Sequence, residues 1–131
     1  MNNLELQQKI YDFEIILYGY LKKFPQSEKF AMTTEIKKTV FEFYKLIYKA
    51  SKLENKKTSL RTADVELQHL RHLLRLANEF KFISKNGYSV CSKELFGIAC
   101  DGGFQSLMDL HRIQAIEGHM QHYLCRQRRP Q

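Results

Sequence analysis

The sequence is short of the residues that interrupt helices, with two prolines and six glycines among its 131 residues. It also lacks the run of about 20 apolar residues that a transmembrane helix needs, so we expect no membrane span. The first residues, MNNLELQQKI, have no basic stretch followed by an apolar run, and we expect no signal peptide. The three cysteines, Cys91, Cys100 and Cys125, are an odd number without metal-like spacing, which favours a reduced, cytoplasmic compartment.

Apolar and basic residues are both plentiful. An apolar fraction of 44%, including nine phenylalanines and seven tyrosines, is enough for the core of one domain. Lysine and arginine number 21 against 14 acidic residues, a formal net charge of +7. Such a surface attracts polyanions, and charge alone does not distinguish RNA, DNA and anionic lipid.

Hydrophobic residues recur at helical spacing between the few glycines and prolines, and no long segment alternates with a period of two. In the first segment, the apolar stripe consists of Leu6, Ile10, Phe13, Leu17, Tyr20 and Phe24. The predicted helices run from about Leu4 to Lys23, Glu28 to Leu53 and Ser59 to Phe82, with a fourth that starts near Ser84 or Asn86. We therefore predict an all-α fold, an up-down four-helix bundle.

The second predicted helix has three distinct faces. Its core stripe consists of Ile36, Val40, Phe43, Ile47 and Ala50. The opposite side carries Lys38, Lys45, Lys49, Lys52 and Lys56, with Phe41, Tyr44 and Tyr48 between the two. A solvated helix face would explain the lysines. The aromatic flank instead favours contact with a partner, and these five lysines are our candidate nucleic-acid-binding residues.

The third predicted helix has two apolar seams. One consists of Leu60, Ala63, Leu67, Leu70, Leu74 and Ala77, and the second of Val65, Leu73, Leu76 and Phe80. Two seams indicate two neighbours. The helix is therefore either surrounded within its own bundle or in contact with another subunit.

Arg71 and Arg75 lie one turn apart on this helix and share a face. They are either two solvated arginines offset by Asp64 and Glu79, or a paired guanidinium site for phosphate or for acidic groups on a protein.

No catalytic motif is present, and we predict neither an enzyme nor a cofactor. His119, His122 and Cys125 come closest to a metal-ligand pattern, because a spacing of three places them on one helix face. No carboxylate partner is evident for them, and we predict no metal site. A metalloenzyme that uses them is the weaker alternative.

The chain divides into a four-helix bundle over residues 1–104 and an atypical C-terminal extension over residues 105–131. A helical spacing continues in the extension through Leu107, Leu110, Ile113, Ile116 and Met120. The last residues, 126–131, read as a flexible basic end.

Several short motifs, taken in order, resemble the Avd proteins, the accessory variability determinants of diversity-generating retroelements. The run Leu70–Ala77 is followed by Glu79 and by Ile83-Ser84 before Tyr88. Upstream, Leu21–Phe30 resembles the basic, proline-containing first loop of the family, and Ile36-Lys37-Lys38-Thr39 fits the turn that follows it. The resemblance covers roughly residues 11–104.

The resemblance implies a non-enzymatic, homopentameric four-helix bundle. Avd proteins bind the reverse transcriptase of the element and nucleic acid, including the template RNA, and support mutagenic cDNA synthesis. By the same resemblance, Arg71 and Arg75 match arginines that matter for the reverse-transcriptase interaction. We assign nucleic-acid binding to the lysine face from the sequence pattern and not from the family resemblance. This binding is expected to be largely without sequence preference.

The end of the fourth helix departs from the Avd pattern. Gly97–Phe104 keeps only the double glycine and an aromatic residue, and Asp101 stands where leucine is expected. The alternative family is the four-helix proteins encoded in intervening sequences of bacterial ribosomal RNA, which would give a structural or RNA-binding role. Those proteins share the Phe-Pro-x-x-Glu-x-Phe turn, but Ile47-Tyr48-Lys49-Ala50 replaces their usual Ile-Ala-Glu-Gly run, which favours Avd.

Overall fold

A computed structural model describes residues 3–52 and 56–104, and within these ranges the chain forms four α-helices and no strand. The helices are α1 (Asn3–Leu21), α2 (Met32–Lys52), α3 (Lys56–Glu79) and α4 (Lys85–Gly102). Each packs against the helices next to it in the chain, and α4 packs back against α1. This ring of four helices confirms the predicted four-helix bundle. No helix of the described ranges is long and apolar enough to cross a membrane.

The buried faces of α1 and α2 agree closely with the hydrophobic pattern. All five residues of the predicted α2 stripe, Ile36 to Ala50, are buried. On α1, Leu6, Ile10, Phe13 and Leu17 are buried as predicted, and Leu21 adds to them. One amphipathic face per helix is therefore enough to define this half of the core.

The two seams of α3 differ in burial. The first seam is buried from Ala63 to Ala77, with Leu60 partly buried. In the second seam only Leu73 is buried, whereas Val65 is 62% exposed and Phe80 is 56% exposed. The idea that α3 is surrounded within its own chain is therefore wrong for Val65 and Phe80. Contact with another subunit stays a prediction.

Three helix ends differ by three or four residues from the predicted boundaries, and α1 ends at Leu21, two residues before the predicted Lys23. Helix α2 begins at Met32 and not near Glu28, because Gln26–Glu28 forms a separate 3-10 turn after Pro25. Helix α3 begins at Lys56, earlier than the predicted Ser59. It ends at Glu79, before the predicted Phe82, because Lys81 has a φ of 62°. The N–H of Phe82 then donates to the carbonyl of Ala77 at 2.8 Å, which closes the helix end.

Helix α4 is capped at both ends. The hydroxyl of Ser84 accepts a hydrogen bond from the N–H of Gly87 at 3.0 Å, as expected of an N-cap serine. At the other end Gly103 takes a left-handed φ of 71°, and the N–H of Phe104 donates to the carbonyl of Ala99 at 2.9 Å. The double glycine thus ends the helix and turns Phe104 into the core.

Asp101, the residue that stands in place of the expected leucine, forms an ion pair with Lys9 of α1. Its hydrogen bond to the Lys9 ammonium raises the pKa of Lys9. The residue that departs from the family pattern therefore makes a polar contact between α1 and α4 in this chain.

Gly87 is required by a close approach between α1 and α4. A Cβ at this position would lie 2.7 Å from Cδ1 of the Tyr20 ring. We expect Gly87→Ala to lower the free energy of unfolding by about 1–3 kcal/mol through overpacking. The gain of about 1 kcal/mol in helix propensity offsets part of this loss, so we expect a net loss of up to about 2 kcal/mol. Urea unfolding followed by circular dichroism measures the difference.

Gly97→Ala, in the same helix, is the matched control. A Cβ at Gly97 would meet nothing within 4 Å, so we expect this variant to be as stable as the wild type or more stable. Equal stability of the two alanine variants would show that the contact between Gly87 and Tyr20 does not constrain the packing.

Candidate partner-binding and nucleic-acid-binding surfaces

The arginine pair lies on the side of α3 that faces α4. Arg71 is half-buried and Arg75 is exposed. Burial lowers the pKa of Arg71, the nearby Tyr88 of α4 opposes this effect, and the charge of Arg75 adds to it. An arginine remains charged at neutral pH under such a shift. The structure therefore brings the two predicted residues together as a pair of positive charges, one of them partly removed from water.

A shallow groove of about 340 Å³ surrounds Arg75. It is lined by His72, Arg75, Leu76, Asn78 and Glu79 of α3 and by Tyr88 of α4. The groove offers a cation beside an apolar side chain, a phenol and the carboxylate of Glu79. Such a setting suits a carboxylate-bearing protein surface, because an arginine there can make directed hydrogen bonds in partly desolvated surroundings.

Four of the five predicted nucleic-acid-binding lysines share one face of α2. Lys38, Lys45, Lys49 and Lys52 are all exposed and fall within an arc of about 60°, given 100° per residue. This arc, which we call the lysine face, lies opposite the core stripe. Glu42, an exposed acidic residue, lies about 20° outside this arc. The fifth lysine, Lys56, is exposed in the first turn of α3.

The predicted aromatic flank lies beside the lysine face, on the side of α2 that faces α1. Phe41 is 51% exposed and Tyr48 is 47% exposed, whereas Tyr44 is half-buried. The ammonium of Lys52 lies 5.9 Å from the centre of the Tyr48 ring. The ammonium of Lys37 lies 4.9 Å from the centre of the Tyr18 ring on α1.

Sequence reasoning left Lys37 and Tyr18 out of the candidate site. At 100° per residue Lys37 lies about 60° outside the arc of the lysine face, on the aromatic side of α2. Nothing in the α2 pattern revealed which α1 residue lies alongside it. That contact depends on how α1 and α2 are rotated about their axes.

One of the two histidines of α3, His69, contacts α2 at the surface, whereas His72 is exposed and lines the groove around Arg75. Nε2 of His69 lies 3.2 Å from Oε1 of Glu35, which links α3 to α2. Among the residues that the structure describes, no group of three histidine, cysteine or acidic side chains could hold a metal ion. His119, His122 and Cys125 lie outside those residues.

The family of the chain follows from a comparison with family models. No curated protein and no solved structure matches the chain. A family model described as bAvd-like matches residues 4–99, from the first turn of α1 to near the end of α4. The matched region includes the arginine pair and the lysine face, and the chain belongs to the bAvd-like family.

Proposed function

We propose that the protein is a non-enzymatic accessory protein of a diversity-generating retroelement, which acts in the cytoplasm. It binds the reverse transcriptase of the element and template RNA or DNA, and so supports mutagenic cDNA synthesis. The match of residues 4–99 to the bAvd-like family carries this proposal. The same match supports it over a role for the chain as a ribosomal-RNA intervening-sequence protein.

The two binding roles fall on different sides of the bundle. Arg71 and Arg75 bind the reverse transcriptase from the side of α3 that faces α4. The lysine face and Lys56 bind nucleic acid, and the aromatic flank of that face is turned toward α1. Since the helices form a ring in chain order, the groove between α1 and α2 is opposite the groove between α3 and α4. This placement lets the protein hold both partners at once.

A homopentamer is part of the proposal. The exposed Val65 and Phe80 of the second α3 seam supply apolar surface for contacts between subunits. Sedimentation equilibrium of the purified protein tests the pentamer separately from the binding roles.

The arginine pair provides the sharpest test of the partner assignment. We expect Arg71→Ala combined with Arg75→Ala to weaken binding to the reverse transcriptase by at least about 100-fold. The reason is that central arginines of an interface each contribute about 2 kcal/mol or more. Titration of the purified reverse transcriptase measures the loss, and cDNA synthesis should fall with it.

Arg61→Ala is the control, because Arg61 is exposed on the same helix but lies about 15 Å along the axis from Arg71, at 1.5 Å per residue, and does not line the groove around Arg75. We expect this variant to bind the reverse transcriptase as the wild type does. Both variants should keep their helical circular dichroism spectrum. A folded double variant that still supports cDNA synthesis would show that the arginine pair is not the binding site.

A further inference from the structure

Exposed aromatic rings line the groove between α1 and α2, directly beside the lysine face. The rings of Phe41 and Tyr18 lie side by side across the groove, with centres 6.4 Å apart and planes inclined by 33°. Tyr44 and Tyr11 line a hollow in the same groove, and Tyr11 is 57% exposed. Tyr48 continues the row along α2. A soluble helical bundle gains no stability from rings held open to water in this way.

Positive charges accompany these rings. The ammonium groups of Lys37 and Lys52 lie over Tyr18 and Tyr48. At one end of the groove, Lys22 and Lys29 join Lys37 around a second hollow. The groove therefore alternates apolar ring faces with cations within a few ångströms of each other.

This alternation matches the chemistry of a single strand of nucleic acid, in which flat bases alternate with phosphates. Proteins that bind single strands without sequence preference combine a basic groove with aromatic side chains on which bases stack. A protein partner that fills an apolar groove suits the site less well, because its insertion would remove water from the lysines without pairing them. Glu14 is the acidic residue of the Tyr11–Tyr44 hollow, is partly buried and is outnumbered by the lysines.

We infer that the α1–α2 groove is a stacking surface for single-stranded nucleic acid. Bases stack on Phe41 and Tyr48, and the neighbouring phosphates pair with the flanking lysines. The inference rests on the proposed function, since it requires that the protein bind nucleic acid, and it names the form that is bound. A lysine face alone contacts phosphates and therefore binds duplex and single strand alike. Stacking, in contrast, requires unpaired bases.

The first test uses the wild-type protein with two single strands of about 15 nucleotides, one of thymidines and one of abasic sites, which carry the same number of phosphates. Fluorescence anisotropy measures both affinities at the same salt concentration. We expect the strand with bases to bind at least about tenfold more tightly, because each stacked base adds to the phosphate contacts. It should also bind more tightly than a duplex of equal charge.

The second test replaces the rings while keeping apolar side chains, with Phe41→Leu combined with Tyr48→Leu. We expect the preference for the strand with bases to fall by about tenfold or more, and the affinity for the abasic strand to stay unchanged. Phe96→Leu is the control, since Phe96 is also an exposed ring, at 37%, but lies on α4, outside the groove. Circular dichroism should show the same helix content for all three proteins.

The outcomes separate this inference from the proposed function. Wild-type protein that binds both strands equally overturns the stacking surface and leaves nucleic-acid binding in place. Failure to bind either strand overturns both. A preference that survives in the leucine variant overturns the assignment to these rings. A leucine variant that keeps its preference but no longer binds the reverse transcriptase would mark the groove as a protein-docking surface and overturn the inference.

Discussion

Replacing Phe43 with alanine is expected to lower the free energy of unfolding by about 3–5 kcal/mol. Phe43 is 2% exposed at the centre of the α2 stripe, and its ring centre lies 5.8 Å from that of Phe104. The substitution removes buried apolar surface and leaves a cavity between α2 and the end of α4. Since domains of this size have about 5–15 kcal/mol of stability in total, the loss is a large part of it. Urea unfolding followed by far-ultraviolet circular dichroism measures the change.

Phe41→Ala, two residues away, is the matched control. The same atoms are removed, but the Phe41 side chain is 51% exposed, so we expect a loss of less than about 1 kcal/mol. Similar losses for the two variants would mean that α2 is rotated about its axis relative to the described structure. The lysine face and the aromatic groove would then be misplaced together, because both depend on that rotation.

The contact between Phe43 and Phe104 also bears on where the bundle ends. The family match stops at residue 99, but the chain continues through the glycine turn to Phe104, which is buried. Glycine at position 102 permits this approach, since a Cβ there would collide with the Phe104 ring. Residues outside the family match thus complete the core of this protein.

The buried side of α2 could be predicted from the sequence because the residue spacing of a single amphipathic helix shows which side is apolar. Residues such as Ile36, Val40 and Ile47 recur with a helical period, and that period alone determines which side is buried. The four exposed lysines of α2 follow from the same periodicity. The start of the helix was less predictable, because the 3-10 turn after Pro25 uses the same polar residues as a helical first turn.

Contacts between helices could not be predicted in the same way. Gly87 lies in the first turn of α4, and nothing in the sequence indicates that the Tyr20 ring of α1 leaves no room there for a Cβ. Asp101 departs from the family pattern, and its partner Lys9 lies 92 positions earlier in the chain. The exposure of the second α3 seam could not be predicted for a related reason. A helix of the ring buries only one arc of its surface, and Val65 lies outside that arc.

The assignment of nucleic acid to the lysine face leads to the second large effect. We expect Lys45→Gln, Lys49→Gln and Lys52→Gln together to weaken RNA binding by about 100-fold to 1000-fold in roughly 0.1 M salt. Each lysine–phosphate contact releases counterions, which contributes nearly tenfold in affinity at that concentration. The slope of log affinity against log salt concentration should fall by about three, one for each lost contact. Fluorescence anisotropy over a series of salt concentrations measures both quantities.

A second triple variant distinguishes the position of these lysines from their number. Lys23→Gln, Lys81→Gln and Lys85→Gln remove the same charge from exposed positions at the end of the bundle, around the α3–α4 turn. Both triple variants change the formal net charge from +7 to +4. If the lysine face binds RNA, the second variant should lose only a few-fold in affinity, because distant charges are screened beyond about 10 Å. Equal losses would instead mean that net charge alone attracts RNA and that no face of the bundle is specialised for it.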